Sequence, residues 1–231
     1  MTGTALIVGA SRGIGLGLSG ELAKRGWDVV ATARDLENAK ELIALADGSG
    51  GKVKIELVDI AEAGSPEALR ERLAGQTFDL IVVNAGIGGP RDRNPRNVSH
   101  DEFCHLFVTN ALAPVRLAEI FSKQVAPNTG VVAFMTSVLG SVEGASAGGM
   151  ELYRASKAAL NSFTRSYAAR HQDKGWAVLS LHPGWVKTDM GGPDAAIDVA
   201  TSVKGLADVI ERAQKDRHDG YFDYKGDTIA W

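Results

Sequence analysis

Short apolar runs alternate with longer amphipathic stretches along the chain, and this alternation constrains the fold more than any other feature. Thr4–Val8, Val29–Ala33 and Leu80–Val83 are mainly apolar, whereas Ile14–Arg25 has apolar residues at helical spacing and is followed by the stop signal Gly26. Strands covered on both faces of a parallel sheet have this near-continuous apolar character. The alternation predicts an α/β fold: a single Rossmann-type doubly wound domain, with a mostly parallel sheet of about seven strands and helices on both faces.

The same patterns locate the individual elements. Strands are predicted at Thr4–Val8, Val29–Ala33, Val53–Val58, Leu80–Val83, Gly130–Met135, Ala177–Leu181 and Gly220–Asp223, the last at a sheet edge. Helices are predicted at Ile14–Arg25, Leu36–Ala46, Pro66–Leu73, His100–Val125, Leu152–Gln172 and Ile197–Gln214. The longest of them is expected to continue through Pro114.

Three stretches are predicted to be loops that border a substrate. Residues 140–150 are rich in Gly, Ser and Ala, and residues 187–194 contain two glycines and a proline. Both follow predicted strands, and ligands of doubly wound folds bind beyond the carboxyl ends of the strands. The predicted substrate loops therefore lie near residues 91–98, 140–150 and 187–197 of one domain that spans residues 1–231.

Composition and charge narrow the class of partner. The 231 residues are 45% apolar and 23% charged, with a net charge of −3 and no clustered basic stripe, so no nucleic-acid partner is expected. No apolar run approaches the ~18 residues of a membrane span, and the amino terminus enters a strand without a signal peptide. We therefore expect a cytoplasmic protein with no membrane partner.

Cys104 is the only cysteine, which excludes an internal disulfide and favours a core or near-core side chain over a catalytic thiol. No metal site is expected.

A glycine-rich turn follows the first predicted strand and opens the first helix. Gly9, Gly13 and Gly15 form the pattern G-x-x-x-G-x-G, which differs from the more widely used G-x-G-x-x-G. Glycines at such a turn let the backbone approach a pyrophosphate, whose charge the helix N-terminus stabilises. The strand before the turn and the helix after it favour dinucleotide binding over a purely structural turn.

The tip of the second predicted strand indicates which dinucleotide binds. An acidic residue at this tip would accept hydrogen bonds from the ribose of NAD, but Arg34 follows the strand instead. Arginine suits a 2′-phosphate, and Arg12 in the glycine turn can reach the same group. We predict NADP(H) in preference to NAD(H); the alternative is that Arg34 is a solvated loop cation.

Asp35 either caps the next helix or repels the phosphate. Asp59, after the third strand, either accepts from an adenine amino group or is a turn residue.

Tyr153 and Lys157 indicate proton-transfer chemistry. They are four residues apart in a predicted helix, so their side chains share a face. A nearby cation favours the charged form of a titratable group, so we expect the lysine to lower the pKa of the tyrosine from its usual ~10. Such a pair can transfer a proton to or from a substrate oxygen. Taken alone, it is also compatible with a solvated face or a packing contact.

Six motifs, in order, make the chain resemble the short-chain dehydrogenase/reductase family over nearly its whole length. They are the glycine turn, Asn84-Ala85-Gly86, Asn110, Ser137, Tyr153-x-x-x-Lys157 and Pro183-Gly184. The segment that begins His182-Pro183-Gly184-Trp185 and the ending Tyr221-Phe222-Asp223-Tyr224-Lys225-Gly226 resemble the C-factor/sniffer-like carbonyl reductase branch.

The resemblance implies an NADP(H)-dependent reduction of a carbonyl group, or its reverse. Tyr153 is expected to donate the proton, Lys157 to hold the nicotinamide ribose, and Ser137 to hydrogen-bond the carbonyl oxygen. Asn110 is expected to hold a water that links Lys157 to solvent; a structural role at a kink near Pro114 is the alternative.

The loop between Ser137 and Tyr153 is longer than is usual in the family, with extra residues in Gly144–Met150. Ser141 is therefore the second candidate for the serine, and the loop is expected to reshape the substrate mouth. The predicted catalytic residues are Asn110, Ser137, Tyr153 and Lys157. The predicted cofactor-binding residues are Gly9, Ser11, Arg12, Gly13, Ile14, Gly15, Arg34, Asp59, Ile60, Asn84, Ala85, Gly86, Tyr153, Lys157, Pro183, Gly184, Val186 and Thr188.

The substrate loops carry few charges, so we expect a small or medium-sized carbonyl or alcohol substrate of apolar character. The resemblance also implies a homodimer that pairs through His100–Val125 and Leu152–Gln172. Two other functions stay open. One is a cofactor-binding signalling or regulatory protein of the C-factor type with little turnover. The other is a 3-oxoacyl-carrier-protein reductase, which the lack of a basic patch for an acidic carrier makes less attractive.

Overall fold

Seven parallel strands form one sheet in the computed structural model, which describes residues 2–90, 95–145 and 148–231. The strands are β1 (Thr4–Val8), β2 (Asp28–Ala33), β3 (Val53–Leu57), β4 (Leu80–Val83), β5 (Val131–Met135), β6 (Ala177–His182) and β7 (Gly220–Asp223). Their order across the sheet is β3-β2-β1-β4-β5-β6-β7, and every neighbouring pair is parallel. The predicted α/β fold is confirmed, including the edge position of β7.

The helices fill the connections between the strands. They are α1 (Gly13–Lys24), α2 (Lys40–Gly48), α3 (Ser65–Arg72), α4 (His100–Phe107), α5 (Ala113–Ile120), α6 (Glu151–Arg170) and α7 (Val199–Asp216). No helix of the described ranges is long and apolar enough to cross a membrane. Of the predicted substrate loops, residues 91–94 and 146–147 lie outside the described residues.

Two apolar layers lie on opposite faces of the sheet, because successive strand residues point to opposite sides. Ala5 and Ile7 pack in the layer that includes α1, α2 and α7, whereas Leu6 and Val8 pack in the layer that includes α3, α5 and α6. All four side chains are fully buried. Burial of a side chain such as Ile or Leu contributes roughly 1.5–3 kcal/mol. The two layers explain why the strands are apolar at nearly every position.

Helix α2 begins at Lys40, later than the predicted start at Leu36. Asp35 Oδ1 accepts hydrogen bonds from the backbone N–H of Asn38 at 2.8 Å and from its Nδ2 at 2.9 Å. These bonds close a turn before the helix, as aspartate side chains commonly do. Asp35 therefore does not cap α2, whose N-cap position is Ala39.

The helix predicted over His100–Val125 is found as α4, a π-helical turn and α5, which follow one another without a break from His100 to Ile120. Helix α4 ends at Phe107, and the π-helical turn Val108–Leu112 separates it from α5. Pro114 has no N–H to donate to the preceding turn, so regular α-helical bonding cannot continue through it. A single π-helical turn often marks a functional position, and this one contains Asn110.

Candidate functional site

The sheet opens a crevice at the carboxyl ends of β1 and β4. The chain runs outward from β1 in both directions, with β2 on one side and β4 on the other. Ligands of open α/β sheets bind at such a switch point. The backbone N–H groups of Asn84 and Ala85 both donate to the carbonyl oxygen of Val8 at 2.9 Å, which holds the end of β4 beside the glycine turn.

The glycine turn has the backbone geometry that a pyrophosphate site requires. Gly9 has a φ of +87°, and a Cβ at this position would lie 2.8 Å from the Cα of Ala85. Asn84 Nδ2 donates to the carbonyl oxygen of Gly9 at 2.7 Å. Helix α1 begins with no side-chain hydrogen bond at its N-terminus, so its first N–H groups stay free to receive an anion. Ser11 and Ile14 are partly exposed around this turn.

The two arginines predicted to contact a 2′-phosphate are both exposed near the crevice. Arg34 follows β2 directly. Arg12 Nη1 lies 3.0 Å from Asp189 Oδ2, in a pair whose side chains are 71% and 76% exposed. An exposed pair of this kind contributes at most about 1 kcal/mol, so a phosphate can compete for Arg12. Asp35 is engaged in its own turn with Asn38.

Two predicted cofactor residues stabilise local turns. Asp59 Oδ1 accepts from the backbone N–H of Ala61 at 2.9 Å, which matches the turn role that the sequence left open. Ile60 beside it is buried. Thr188 Oγ1 donates to the carbonyl oxygen of Val186 at 3.3 Å and accepts from the N–H of Gly191 at 3.2 Å.

The loop after β6 faces the glycine turn across the crevice. A Cβ at Gly13 would lie 3.4 Å from Thr188 Cγ2. Gly184 has a φ of +86°, and the carbonyl oxygen of Pro183 accepts from Ser202 Oγ of α7 at 2.6 Å. These contacts place the residues from Pro183 to Thr188 opposite the helix N-terminus.

Ser137, Tyr153 and Lys157 converge at the carboxyl end of β5. Tyr153 and Lys157 lie on α6, and Ser137 begins the 3₁₀ turn Val138–Gly140. The Ser137 side chain lies close enough to the Tyr153 phenol to lower its pKa. Lys157 Nζ lies 5.8 Å from the centroid of the Tyr153 ring and donates to the carbonyl oxygen of Met135 at 2.9 Å.

Burial dominates the titration of this pair. It raises the pKa of Tyr153, and the hydrogen bond from Ser137 opposes the rise. It also lowers the pKa of Lys157 to about 8, because this residue is only 4% exposed and burial disfavours the charged form. The lowering of the Tyr153 pKa that we expected from Lys157 is not found. The ammonium donates to a backbone carbonyl and not to the phenol, so desolvation of the phenol outweighs attraction by the cation.

Asn110 connects the π-helical turn to the rest of the site. Its Oδ1 accepts from the N–H of Ile87 at 2.8 Å, and its Nδ2 donates to the carbonyl oxygen of Ile87 at 2.8 Å and to Ser156 Oγ at 3.1 Å. A Cβ at Gly86 would lie 3.3 Å from Asn110 Oδ1 and 3.4 Å from Lys157 Nζ. The structural role left open for Asn110 is therefore present, and its side chain also lies beside Lys157.

Several contacts at the site were missed in the sequence. The hydroxyl of Tyr221 donates to the carbonyl oxygen of Ser137, and Asn161 Nδ2 donates to that of Gly140 at 3.2 Å. In the sequence, Tyr221 stands out only as part of the C-terminal motif. The second serine candidate, Ser141, is buried and accepts from the N–H of Gly144 at 3.0 Å.

Possible metal ligands do not cluster in the described part of the chain. Its His, Cys, Asp and Glu residues form no group of three that could hold a metal ion. Cys104 lies partly exposed on α4, where its Sγ is 3.4 Å from His100 Nε2.

Comparison with known proteins identifies the class. The family profile "short chain dehydrogenase" matches residues 3–196. A carbonyl reductase from Pseudomonas aeruginosa PAO1, solved in complex with NADP, is 39% identical and superposes with a TM-score of 0.92 over 100% of both chains. The chain belongs to the short-chain dehydrogenase/reductase family of oxidoreductases.

Two further relatives define the branch. The carbonyl reductase Sniffer of D. melanogaster is 31% identical, with a TM-score of 0.90 over 100% of both chains. The C-signal protein of Myxococcus xanthus is 36% identical over 154 residues, which cover 66% of this chain and 92% of that protein. Within the family the chain is of the C-factor/sniffer-like type, and the resemblance seen in the sequence is confirmed.

Proposed function

We propose that this protein is a carbonyl reductase that transfers hydride between NADP(H) and a small or medium-sized carbonyl or alcohol substrate of apolar character. The observation that carries the proposal is the convergence of Ser137, Tyr153 and Lys157 at the carboxyl end of β5, with Lys157 one turn from Tyr153 on α6. This group lies at the carboxyl end of the sheet, beside the crevice that suits a dinucleotide. The NADP complex of the Pseudomonas relative adds support.

Each of the four residues has a role that follows from its contacts. NADPH, when bound, supplies the hydride. Burial keeps Tyr153 protonated, and the phenol donates this proton to the carbonyl oxygen. The hydrogen bond from Ser137 stabilises the tyrosinate that is left, and the same hydroxyl can bind the substrate oxygen. Lys157, with a pKa of about 8, is mainly cationic at neutral pH; it attracts the tyrosinate and binds the nicotinamide ribose. For Asn110 the family resemblance adds a further role, which is to hold a water that returns a proton through Lys157.

The decisive experiment replaces the proton donor. Tyr153→Phe should lower NADPH-linked turnover of an accepted carbonyl by about 100-fold or more, because positioned acid catalysis is removed. NADP⁺ affinity, measured by calorimetry, should change little. Tyr167→Phe is the matched control, because Tyr167 lies on the same helix and its buried hydroxyl donates to Ala118. Turnover by Tyr153→Phe close to the wild-type rate would exclude this residue as the acid.

NADP(H) is proposed in preference to NAD(H), because Arg34 and Arg12 lie where a 2′-phosphate would need cations. Arg34→Ala should weaken NADP⁺ binding by about 10-fold or more and leave NAD⁺ binding nearly unchanged, since hydrogen bonds to charged groups contribute about 1.5–3 kcal/mol. Arg116→Ala, at an exposed position on α5, controls for the loss of one surface charge. Equal losses for both dinucleotides would contradict the preference.

The C-signal relative favours a second candidate, a cofactor-binding regulatory protein with little turnover. A panel of aldehydes, quinones and diketones with NADPH separates the two. Oxidation of NADPH with any member supports the reductase, whereas tight NADP⁺ binding without turnover across the panel supports the regulatory protein. Turnover confined to a 3-oxoacyl thioester on carrier protein would instead indicate a dedicated acyl reductase.

We also propose a single cytoplasmic domain that forms a homodimer through α4, α5 and α6. Phe103 on α4, Leu112 in the π-helical turn and Phe163 on α6 are each about 40% exposed, which gives this side an apolar character. Light scattering of the wild type should give twice the chain mass, and Phe163→Glu should give the monomer mass. A monomer at all concentrations would contradict the dimer.

A further inference from the structure

Both ends of the 3₁₀ turn that follows Ser137 are held by side chains from other elements. The hydroxyl of Tyr221, on β7, donates to the carbonyl oxygen of Ser137. Asn161, on α6, donates to the carbonyl oxygen of Gly140 at 3.2 Å and lies close enough to the Tyr221 hydroxyl to lower its pKa. Tyr221 is 1% exposed and Asn161 is 3% exposed. The edge strand and the helix that carries Tyr153 thus hold the same turn.

The turn also packs directly against α6. A Cβ at Gly140 would lie 2.9 Å from the carbonyl carbon of Lys157 and 3.0 Å from Asn161 Nδ2. Contacts shorter than normal packing allow only glycine here without a shift of the backbone. The position of Ser137 relative to Tyr153 is therefore set by the backbone of the turn, and Tyr221 holds the first carbonyl of that backbone.

Tyr221 is suited to be a permanent donor. Burial raises its pKa to about 12, so the hydroxyl keeps its proton at neutral and mildly alkaline pH. Its target, the carbonyl oxygen of Ser137, also accepts from the N–H of Gly140 at 2.7 Å. The Ser137 side chain accepts from the N–H of Leu139 at 3.2 Å and lies close enough to Tyr153 to lower its pKa. Loss of the Tyr221 hydrogen bond would free the peptide group next to this side chain.

We propose that Tyr221 is a positioning residue for the reaction: by holding the carbonyl group of Ser137, it keeps the Ser137 hydroxyl within hydrogen-bonding reach of Tyr153. This inference rests on the proposed reductase function. Tyr221 acts through Ser137, so its contribution should depend on the Ser137 hydroxyl. It should affect the rate of the chemical step and leave cofactor binding unchanged, because none of its contacts lies at the glycine turn.

A double-mutant cycle tests this dependence. Tyr221→Phe should lower kcat about 10-fold on a carbonyl that the wild type reduces, since small misplacement of a reacting group has effects of this size. In the Ser137→Ala background the same change should alter kcat less than about 2-fold, because residues that act through one another are not additive. Equal effects of Tyr221→Phe in both backgrounds would overturn the proposal. Tyr167→Phe, which removes another buried tyrosine hydroxyl, is the control and should leave kcat unchanged.

The pH dependence of kcat gives a second test, because a general loss of stability would not shift it. The Ser137 hydrogen bond lowers the pKa of Tyr153, so its weakening in Tyr221→Phe should shift the ionisation seen in kcat for alcohol oxidation to higher pH. The titratable groups that interact with Tyr153 are Lys157 on α6 and Tyr221 on β7. An unshifted profile with a lowered kcat would count against positioning through Ser137.

Amide hydrogen exchange tests the structural step without any substrate. The N–H groups of Gly140 and Ser141 donate to Ser137 and Val138 within the turn. Tyr221→Phe should speed exchange in the peptide that covers this turn by about 10-fold, and Tyr167→Phe should not. If the wild type reduces no carbonyl, the proposed function fails while this measurement still reports whether Tyr221 holds the turn. Unchanged exchange would overturn the positioning role.

Discussion

Replacement of Lys157 by methionine should stabilise the fold at neutral pH. Lys157 is 4% exposed, its ammonium has no carboxylate partner among the described residues, and its pKa falls from 10.5 to about 8 on burial. Each unit of such a shift corresponds to about 1.4 kcal/mol, so burial of the charged lysine costs about 3 kcal/mol below pH 8. Methionine removes this cost but leaves the carbonyl of Met135 unpaired, which costs about 1 kcal/mol. The expected net gain is about 2 kcal/mol, or about 5 °C in Tm.

The stability gained by Lys157→Met should decrease as the pH rises. Between pH 8 and 10.5, the unfolded chain still holds the Lys157 proton that the folded chain has released. The unfolded state then binds more protons, so stability of the wild type rises with pH in this window. The advantage of Lys157→Met should therefore be fully present below pH 8 and disappear as the pH approaches 10.5.

Urea unfolding of both proteins at several pH values measures the difference directly. Lys54→Met is the matched control, because Lys54 is exposed on β3 and its replacement should change the free energy of unfolding by less than about 0.5 kcal/mol. A difference between wild type and Lys157→Met that stays the same at pH 7 and pH 10 would refute the assignment of the cost to a buried ammonium. A destabilised Lys157→Met at pH 7 would do so as well.

Two further predictions concern residues that hold the site. Gly140→Ala should destabilise the protein by about 1–3 kcal/mol in thermal melts and lower turnover, because the added methyl meets the backbone of α6. Gly48→Ala is the control, because no atom lies near the new methyl at the end of α2. Its stability should stay within about 0.5 kcal/mol of the wild type in the same melts. Asn110→Ala should cost about 1–3 kcal/mol in urea unfolding, because it leaves the partly buried N–H and C=O groups of Ile87 without their partner. A loss below about 0.5 kcal/mol would contradict that reasoning.

Local sequence signals located the site well where one segment supplies the whole motif. The glycine turn needs only a strand, three glycines and a helix, and Tyr153 and Lys157 share a face through helical spacing alone. The signals failed where a side chain binds groups that the pattern did not indicate, in its own turn for Asp35 and in another segment for Asn110. Asp35 closes a turn with Asn38, which delays α2, and the side chain of Asn110 binds Ile87 at the π-helical turn near Pro114.

The sequence by itself determined the doubly wound sheet and the family, because apolar periodicity and ordered motifs are properties of the chain. Only the tertiary structure decided the electrostatics of the site. Burial raises the pKa of Tyr153 against the expected effect of Lys157, and the hydrogen bond that opposes the rise comes from Ser137 on another element. The contact between Tyr221 and Ser137 joins residues far apart in the chain, so no local pattern reveals it. Desolvation and long-range hydrogen bonds depend on what surrounds a side chain, and that environment exists only once the sheet and helices have packed.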